Sequence, residues 1–119
     1  ASRPISWWWL AILVIAILLA AGFAAITWSI HTDVRNASQA AMREYPGDRV
    51  QALIAFVESD EHSLSERNRA VWALGQLRDP RALPVLERHY TGQECDHARM
   101  LCQHELRKAI NLVRRSSGR

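Results

Sequence analysis

The sequence predicts an all-α protein in which one N-terminal transmembrane helix precedes a short array of two helix pairs. The run from Trp7 to Trp28 contains no charged residue. Downstream of it, apolar residues recur at the 3.6-residue spacing of helices and do not alternate as in strands. Glycine and proline are also sparse, with five and four in 119 residues, so few positions interrupt a helix.

The apolar run is long enough to cross a bilayer. Roughly 22 residues at about 1.5 Å per residue give about 33 Å, against a hydrocarbon core of about 30 Å. Tryptophans stand at both ends, Trp7–Trp9 and Trp28, where aromatic side chains favour the headgroup region. The apolar core of a cleaved signal peptide is shorter, about 7–15 residues. We therefore expect residues 1–31 to be a retained single-pass anchor.

Three alanines mark one face of this helix. Ala16, Ala20 and Ala24 recur every fourth residue. Small residues at this spacing let a second membrane helix approach closely, which predicts contact with other membrane-protein subunits as well as with lipid. The alternative is that alanine is simply common in membrane helices, and the sequence leaves both interpretations open.

The remainder divides into three segments. Residues 32–47 are polar and form a neck, which either continues the membrane helix or makes a short amphipathic helix of its own. Pro46-Gly47 ends the neck. Residues 48–114 are predicted to form the helical domain, and residues 115–119 a basic tail.

Four helices are predicted in the domain from apolar periodicity and capping residues. Their ranges are Arg49–Glu58, Ser65–Leu77, Pro80–Tyr90 and Asp96–Arg114. The expected N-caps of the first three are Asp48, Ser65 and Asp79.

The third predicted helix has two further features. Pro84 falls inside it and is expected to bend it, because proline lacks the backbone donor. Its inward-facing residues are expected to be Leu83, Leu86 and Tyr90.

The helices repeat as pairs. The first and third align on residues 52–53 and 82–83, both Ala-Leu. The second and fourth align on Ala73-Leu74 and Ala109-Ile110, so the domain is predicted to be a duplicated helix pair with a solenoid-like period.

The strongest motif spans the middle of the domain. Residues 69–77 read RAVWALGQL, and residues 78–86 read RDPRALPVL. A helix ending in Ala-Leu-Gly-x-Leu, an Asp-Pro turn and then Ala-Leu-Pro-x-Leu resembles the HEAT-like repeats related to those of phycobilin lyases. The resemblance implies a two-repeat HEAT-like array acting as a binding scaffold; lyases are a minority of such proteins.

Four residues of zinc-ligand type lie within ten positions: Cys95, His97, Cys102 and His104. On continuous helix the cysteines and histidines point to different sides, so no metal site is predicted unless the segment from Cys95 to Met100 is unwound. A disulfide becomes feasible if Cys95 lies in a loop that folds back over the first turn. Otherwise Cys102 is simply buried and Cys95 lies in the loop.

Trp72 is the best candidate for partner binding on the domain. On a helical wheel it lies opposite the buried stripe, close to Arg69 and Gln76. A large aromatic beside arginine has the composition of a binding hot spot. Alternatively, Trp72 packs against the neck or lies at the membrane surface.

These observations predict an accessory, assembly or structural subunit of a membrane complex, acting by protein–protein interaction. No catalytic motif is present, so neither enzyme activity nor a cofactor is predicted. The basic C-terminal end lacks a recognisable module, so no nucleic-acid partner is predicted. The alternative function is a redox or metal-handling module built on Cys95 and Cys102, and a lyase-like enzyme ranks below it.

Basic residues near the span bear on its orientation. Arg3 lies on the short side, and Arg35, Arg43 and Arg49 lie on the domain side. Because basic residues are retained in the cytoplasm, the count favours a cytoplasmic domain.

Overall fold

The computed structural model describes residues 6–118, and helix is the only regular secondary structure among them, which confirms the predicted all-α class. It contains five α-helices and one 3₁₀ turn. Their bounds are α1 Trp7–Glu44, α2 Arg49–Glu58, α3 Leu64–Leu77, the 3₁₀ turn Pro80–Ala82, α4 Leu83–His89 and α5 Gln103–Ser117. Arg3, which entered the prediction of orientation, and Arg119 of the basic tail lie outside the described residues.

The chain divides into two compact units, residues 1–32 and residues 33–119. In the first unit, α1 is long and apolar enough to cross a membrane, and its most apolar stretch is not buried against any part of the described chain. The one polar side chain of the apolar run is satisfied internally, because the Thr27 hydroxyl donates to the Phe23 carbonyl at 2.9 Å. Placing this hydrogen-bonded hydroxyl in an apolar environment therefore costs little free energy.

The second unit begins with the last part of α1, which continues through the neck without a break. Val34, Ser38 and Ala41 are buried at spacings of four and three residues, the stripe of an amphipathic helix. The Ser38 hydroxyl donates to the Val34 carbonyl at 2.7 Å, so the buried polar group has a partner. Ala41 belongs to the domain core.

Capping side chains set the starts of α2 and α3. Asp48 caps α2 as predicted, and Asp48 and Gln51 exchange hydrogen bonds between side chain and backbone. The predicted cap Ser65 is wrong, because α3 is capped by Ser63, which exchanges the same pair of bonds with Glu66. Only Ser63 has the glutamate three residues later that a reciprocal capping box requires.

The third predicted helix is shorter than expected. Asp79 caps the 3₁₀ turn by accepting a hydrogen bond from the Arg81 amide at 2.9 Å, and α4 follows. Pro84 lies in the first turn of α4, where its missing donor breaks no bond, so the predicted bend does not arise. Leu86 is buried as expected, but Tyr90 caps the end of α4 and is exposed.

The fourth predicted helix begins too early. α5 starts at Gln103, seven residues after Asp96, and continues to Ser117. The Asp96 carboxylate accepts the Ala98 amide at 3.2 Å and holds a local turn. At this position the carboxylate stabilises a turn in competition with helix.

The core of the second unit forms where α3 packs against both α2 and α5. The fully buried large side chains are Leu53, Val57, Val71, Leu74, Leu86, Leu106 and Val113. Gly75 lies at the α3–α5 crossing, and a Cβ added there would lie 2.8 Å from the Ala109 Cα and 2.9 Å from its Cβ. The backbones of α3 and α5 are therefore in close contact at this crossing. If the two helices moved apart, a gap would open in the core.

We expect Gly75→Ala to destabilise the second unit by about 1–3 kcal/mol, because the new methyl overlaps the backbone of α5. The measurement is urea unfolding of the detergent-solubilised chain, followed by circular dichroism. Gly22→Ala is the matched control, since a Cβ there meets nothing within 4 Å. Equal stability of the two variants would contradict the close packing of α3 on α5.

The imidazole of His89 lies at the end of α4. Its Nε2 atom is buried and has no hydrogen-bond partner within the described residues. Burial, with a contribution from the nearby Arg67 charge, lowers the pKa of His89 below its ordinary value of 6.5. The unfolded chain therefore binds a proton at this position more readily than the folded chain.

We therefore expect the free energy of unfolding to decrease as the pH drops below about 6.5. In the His89→Leu variant this decrease should be smaller, because the variant has no imidazole to protonate at this position. Urea midpoints of wild type and variant, compared from about pH 8 to about pH 5, measure the difference. Parallel pH profiles for the two proteins would show that His89 does not contribute.

Candidate functional site

The second unit carries a cleft of about 360 Å³ beside Trp72. It is lined by Asp33, Asn68, Arg69, Trp72 and Glu105. The neck, α3 and α5 each contribute to it. The cleft therefore combines an aromatic ring, a guanidinium and two carboxylates within one concave surface.

Helix geometry explains why three of these side chains share a face. The Ser63 cap fixes the start of α3, and Asn68, Arg69 and Trp72 then follow at spacings of one and three residues. Arg69 is exposed, whereas Trp72 is half-buried against the core and presents only part of its ring. Gln76 is also half-buried and does not line the cleft.

A second groove of about 370 Å³ lies between the neck and the first helix pair. His62 closes one side of it, with its Nε2 atom 2.6 Å from a Glu44 carboxylate oxygen and its ring stacked on Phe56 at 3.9 Å. Arg69 lines this groove as well as the Trp72 cleft, so it stands between the two concavities. No local sequence pattern singles out His62, because its partner Glu44 is 18 residues away along the chain.

The starts of the two helix pairs are joined by one guanidinium. Arg81 donates to Asp48 and to Asp79, each at 2.8 Å. Backbone donation from Gln51 together with Arg81 lowers the pKa of Asp48, and Arg81 is the main cause of the lowered pKa of Asp79. Arg81 and Asp48 are about half exposed and Asp79 is less so, so solvent weakens this bridge and it aligns the pairs more than it stabilises them.

In the first unit, the structure places Ala16, Ala20 and Ala24 on one exposed face of α1. The i, i+4, i+8 spacing is kept because the helix is unbroken. This face is available for close contact with another helix.

The structure brings three of the four zinc-type residues together. The Cys95 and Cys102 sulfurs are 3.5 Å apart as free thiols. The ligand atoms of these two residues and of His97 all lie within 4.8 Å of one another. The expectation that the cysteines and histidines point to different sides is corrected, because it assumed a helix from Asp96 onward.

The fourth residue, His104, is engaged elsewhere. Its Nδ1 atom is 3.1 Å from the Arg107 guanidinium, one turn along α5. Its backbone amide, however, donates to the Cys95 sulfur at 3.4 Å. This N–H bond is the main cause of the lowered pKa of the Cys95 thiol, and a hydrogen bond with Cys102 adds to it.

The loop that carries the cluster is held at both ends. The buried Gln103 amide accepts the Thr91 backbone N–H at 2.7 Å and donates to the His89 carbonyl at 3.1 Å. The Cys102 backbone N–H donates to the Asn68 side chain at 2.8 Å. Loop residues 91–102 are thereby tied to α3, α4 and α5.

These features define a small helical domain preceded by a long apolar helix. Within it, residues 66–90 match the PBS lyase HEAT-like repeat family, which confirms the resemblance predicted for this stretch. The match covers most of α3, the 3₁₀ turn and α4, together with Arg69 and Trp72 of the cleft. Comparisons with curated proteins and with solved structures find no match.

Cys95 and Cys102 should differ in reactivity. Cys95 is exposed and its sulfur accepts an amide hydrogen bond, which favours the reactive thiolate, whereas Cys102 is buried. In reduced, chelator-treated protein we expect iodoacetamide to modify Cys95 at least about tenfold faster, measured by peptide mass spectrometry. Similar rates at the two thiols would contradict the buried position of Cys102.

Proposed function

We propose that this chain is a membrane-anchored HEAT-like interaction module, an accessory or assembly subunit of a membrane protein complex, and that it acts by binding and not by catalysis. HEAT-like repeats are typical of protein-interaction modules. The observation that carries the proposal is the separation of two kinds of surface along one chain.

Exposed apolar surface is concentrated on α1. Among residues 6–118, the large exposed hydrophobic side chains between Trp7 and Ile30 cover every face of the helix. Among the described residues of the second unit, only Met42 and Tyr90 are large hydrophobic side chains that are exposed. Lipid tails or other membrane helices suit the first surface, and a polar partner suits the second.

Three features support the membrane half of the proposal. The apolar stretch of α1 has the length of a bilayer core, and tryptophans flank it. The face formed by Ala16, Ala20 and Ala24 allows backbone-close packing against a helix of the partner. Arg35, Arg43 and Arg49 follow the span, which favours a cytoplasmic repeat domain.

The repeat half is supported by the Trp72 cleft. Tryptophan and arginine are the residue types that most often dominate binding energy, and Arg69 is exposed beside the half-buried ring. Asp33 and Glu105 add negative charge to the same cleft. A partner segment with both an apolar side chain and a basic group would match it.

The far side of the array, formed by α5, is polar. The outward-facing residues of α5 are polar or charged: His104, Arg107, Lys108, Asn111, Arg114 and Arg115. Arg114 also pairs with Glu87 of α4 at 2.8 Å. Such a polar face is typical of a terminal capping repeat.

The test is affinity purification of the full chain from its native membrane in mild detergent, with co-purifying proteins quantified by mass spectrometry. We expect a stoichiometric membrane protein whose yield falls at least about tenfold with Ala20→Leu, because leucine separates closely packed helices. Trp72→Ala should reduce the same protein's yield by a similar factor through loss of the repeat contact.

Matched controls are available for both surfaces. Ala11 lies on the face of α1 opposite Ala20, so Ala11→Leu should leave the yield unchanged. Tyr90→Ala removes an exposed aromatic that lies outside the Trp72 cleft. The proposal would be overturned if the chain were purified as a monomer without a partner. It would also be overturned if the partner's yield were unchanged in the Ala20→Leu and Trp72→Ala variants.

A further inference from the structure

The cluster formed by Cys95, His97 and Cys102 is not needed by the proposed interaction surfaces. It lies in the loop between α4 and α5, and its members come from the loop and from the N-cap position of α5. The proposed binding function therefore does not explain why two cysteines and a histidine lie close together.

The distances are close to those of a coordinated ion. Zinc–sulfur bonds of about 2.3 Å and zinc–nitrogen bonds of about 2.0–2.1 Å in a tetrahedron place the ligand atoms about 3.6–3.8 Å from one another. The two sulfurs are already 3.5 Å apart, and the His97 nitrogen lies within 4.8 Å of both. Rotation of the exposed His97 side chain by about 1 Å at its tip completes the arrangement.

The surroundings favour thiolates at this position. The His104 amide donates to the Cys95 sulfur, as the outer-shell donors of metal-bound thiolates do. Cys102 is the N-cap residue of α5, a 15-residue helix whose amino end carries partial positive charge. The cysteines thus stand where negative charge is stabilised.

Hydrogen bonds within the chain hold the backbone around the cluster. Asn68 holds the backbone of Cys102, and Gln103 holds the start of the loop through Thr91. Binding therefore requires little ordering of the chain beyond the exposed side chains, which lowers its entropic cost.

We propose that Cys95, His97 and Cys102 bind one zinc-class divalent transition-metal ion through two thiolates and an imidazole. Soft sulfur and imidazole donors select zinc over magnesium or calcium, which prefer oxygen. The reaction exchanges the two thiol protons for the ion: one M²⁺ is bound through two Sγ atoms and one imidazole nitrogen, and two protons pass to solvent.

The fourth coordination position faces solvent. Cys95 and His97 are exposed, and the imidazole of His104 is directed toward Arg107. A water molecule or a donor from a partner therefore completes the tetrahedron. The ion would join the loop to the start of α5, which raises the thermal stability of the second unit by an amount that grows with the logarithm of its affinity.

The test uses Co²⁺ alone as a spectroscopic probe on the full chain in detergent, chelator-stripped and kept reduced without oxygen. We expect one equivalent to produce thiolate-to-cobalt charge-transfer absorption and the visible bands of tetrahedral Co²⁺, both lost on adding Zn²⁺. Cys95→Ser should weaken binding by about 100-fold or more, and His97→Ala by at least about tenfold.

His104→Ala is the matched control, because it removes a neighbouring imidazole that the structure excludes from the ligand set. Its cobalt spectrum and affinity should equal those of wild type. Zn²⁺ should raise the melting temperature of wild type and His104→Ala by more than that of His97→Ala at the same Zn²⁺ concentration. The exposed position of His97 should leave helix content unchanged by circular dichroism.

Absence of charge-transfer absorption in fully reduced wild type would overturn the proposal. So would a His97→Ala protein that binds as tightly as wild type, or equal losses from His97→Ala and His104→Ala. None of these outcomes bears on partner binding through Ala20 or Trp72, so the two proposals fail independently.

Discussion

The second unit depends on the close contact between α3 and α5. Gly75 brings the backbone of α3 within van der Waals distance of Ala109, so the two helices are held at a separation that a larger residue would not allow. This contact sets the position of the other features. Trp72 lies beside it on α3 and faces the cleft, and Cys102 stands at the start of α5, next to Asn68 of α3. Both candidate sites are thus placed by the same helix–helix crossing.

Much of this arrangement is predictable from the sequence, because apolar periodicity and capping residues are local signals. The bounds of α2 and the Asp48 cap follow directly from them, and so does the helical class of the whole chain. The segment from Asp96 to Cys102 was misassigned because its turn is held by an aspartate side chain and by the long-range partner Asn68. The four zinc-type residues are visible in the sequence, but a helix over this segment directs the cysteines and histidines to different sides, so their proximity is not predicted.

The neck shows the other limit of sequence reasoning. Its polar composition indicates a helix but not which face is buried, because the stripe of Val34, Ser38 and Ala41 includes a serine. The serine is tolerated since its hydroxyl is satisfied by the helix backbone. For Trp72, the position on the helical wheel predicts exposure. In the structure its side chain is half-buried, because it packs against the core. Contacts between elements decide both cases.

Asn68 has a consequence of its own. Its side chain lines the Trp72 cleft and also accepts the backbone N–H of Cys102, so one amide belongs to both regions. In a mutational scan Asn68 would behave pleiotropically: its phenotype would combine defects from the cleft and from the cysteine loop. Non-additive effects between variants in the cleft and variants in the cysteine loop, measured in double variants, are therefore expected to depend on Asn68.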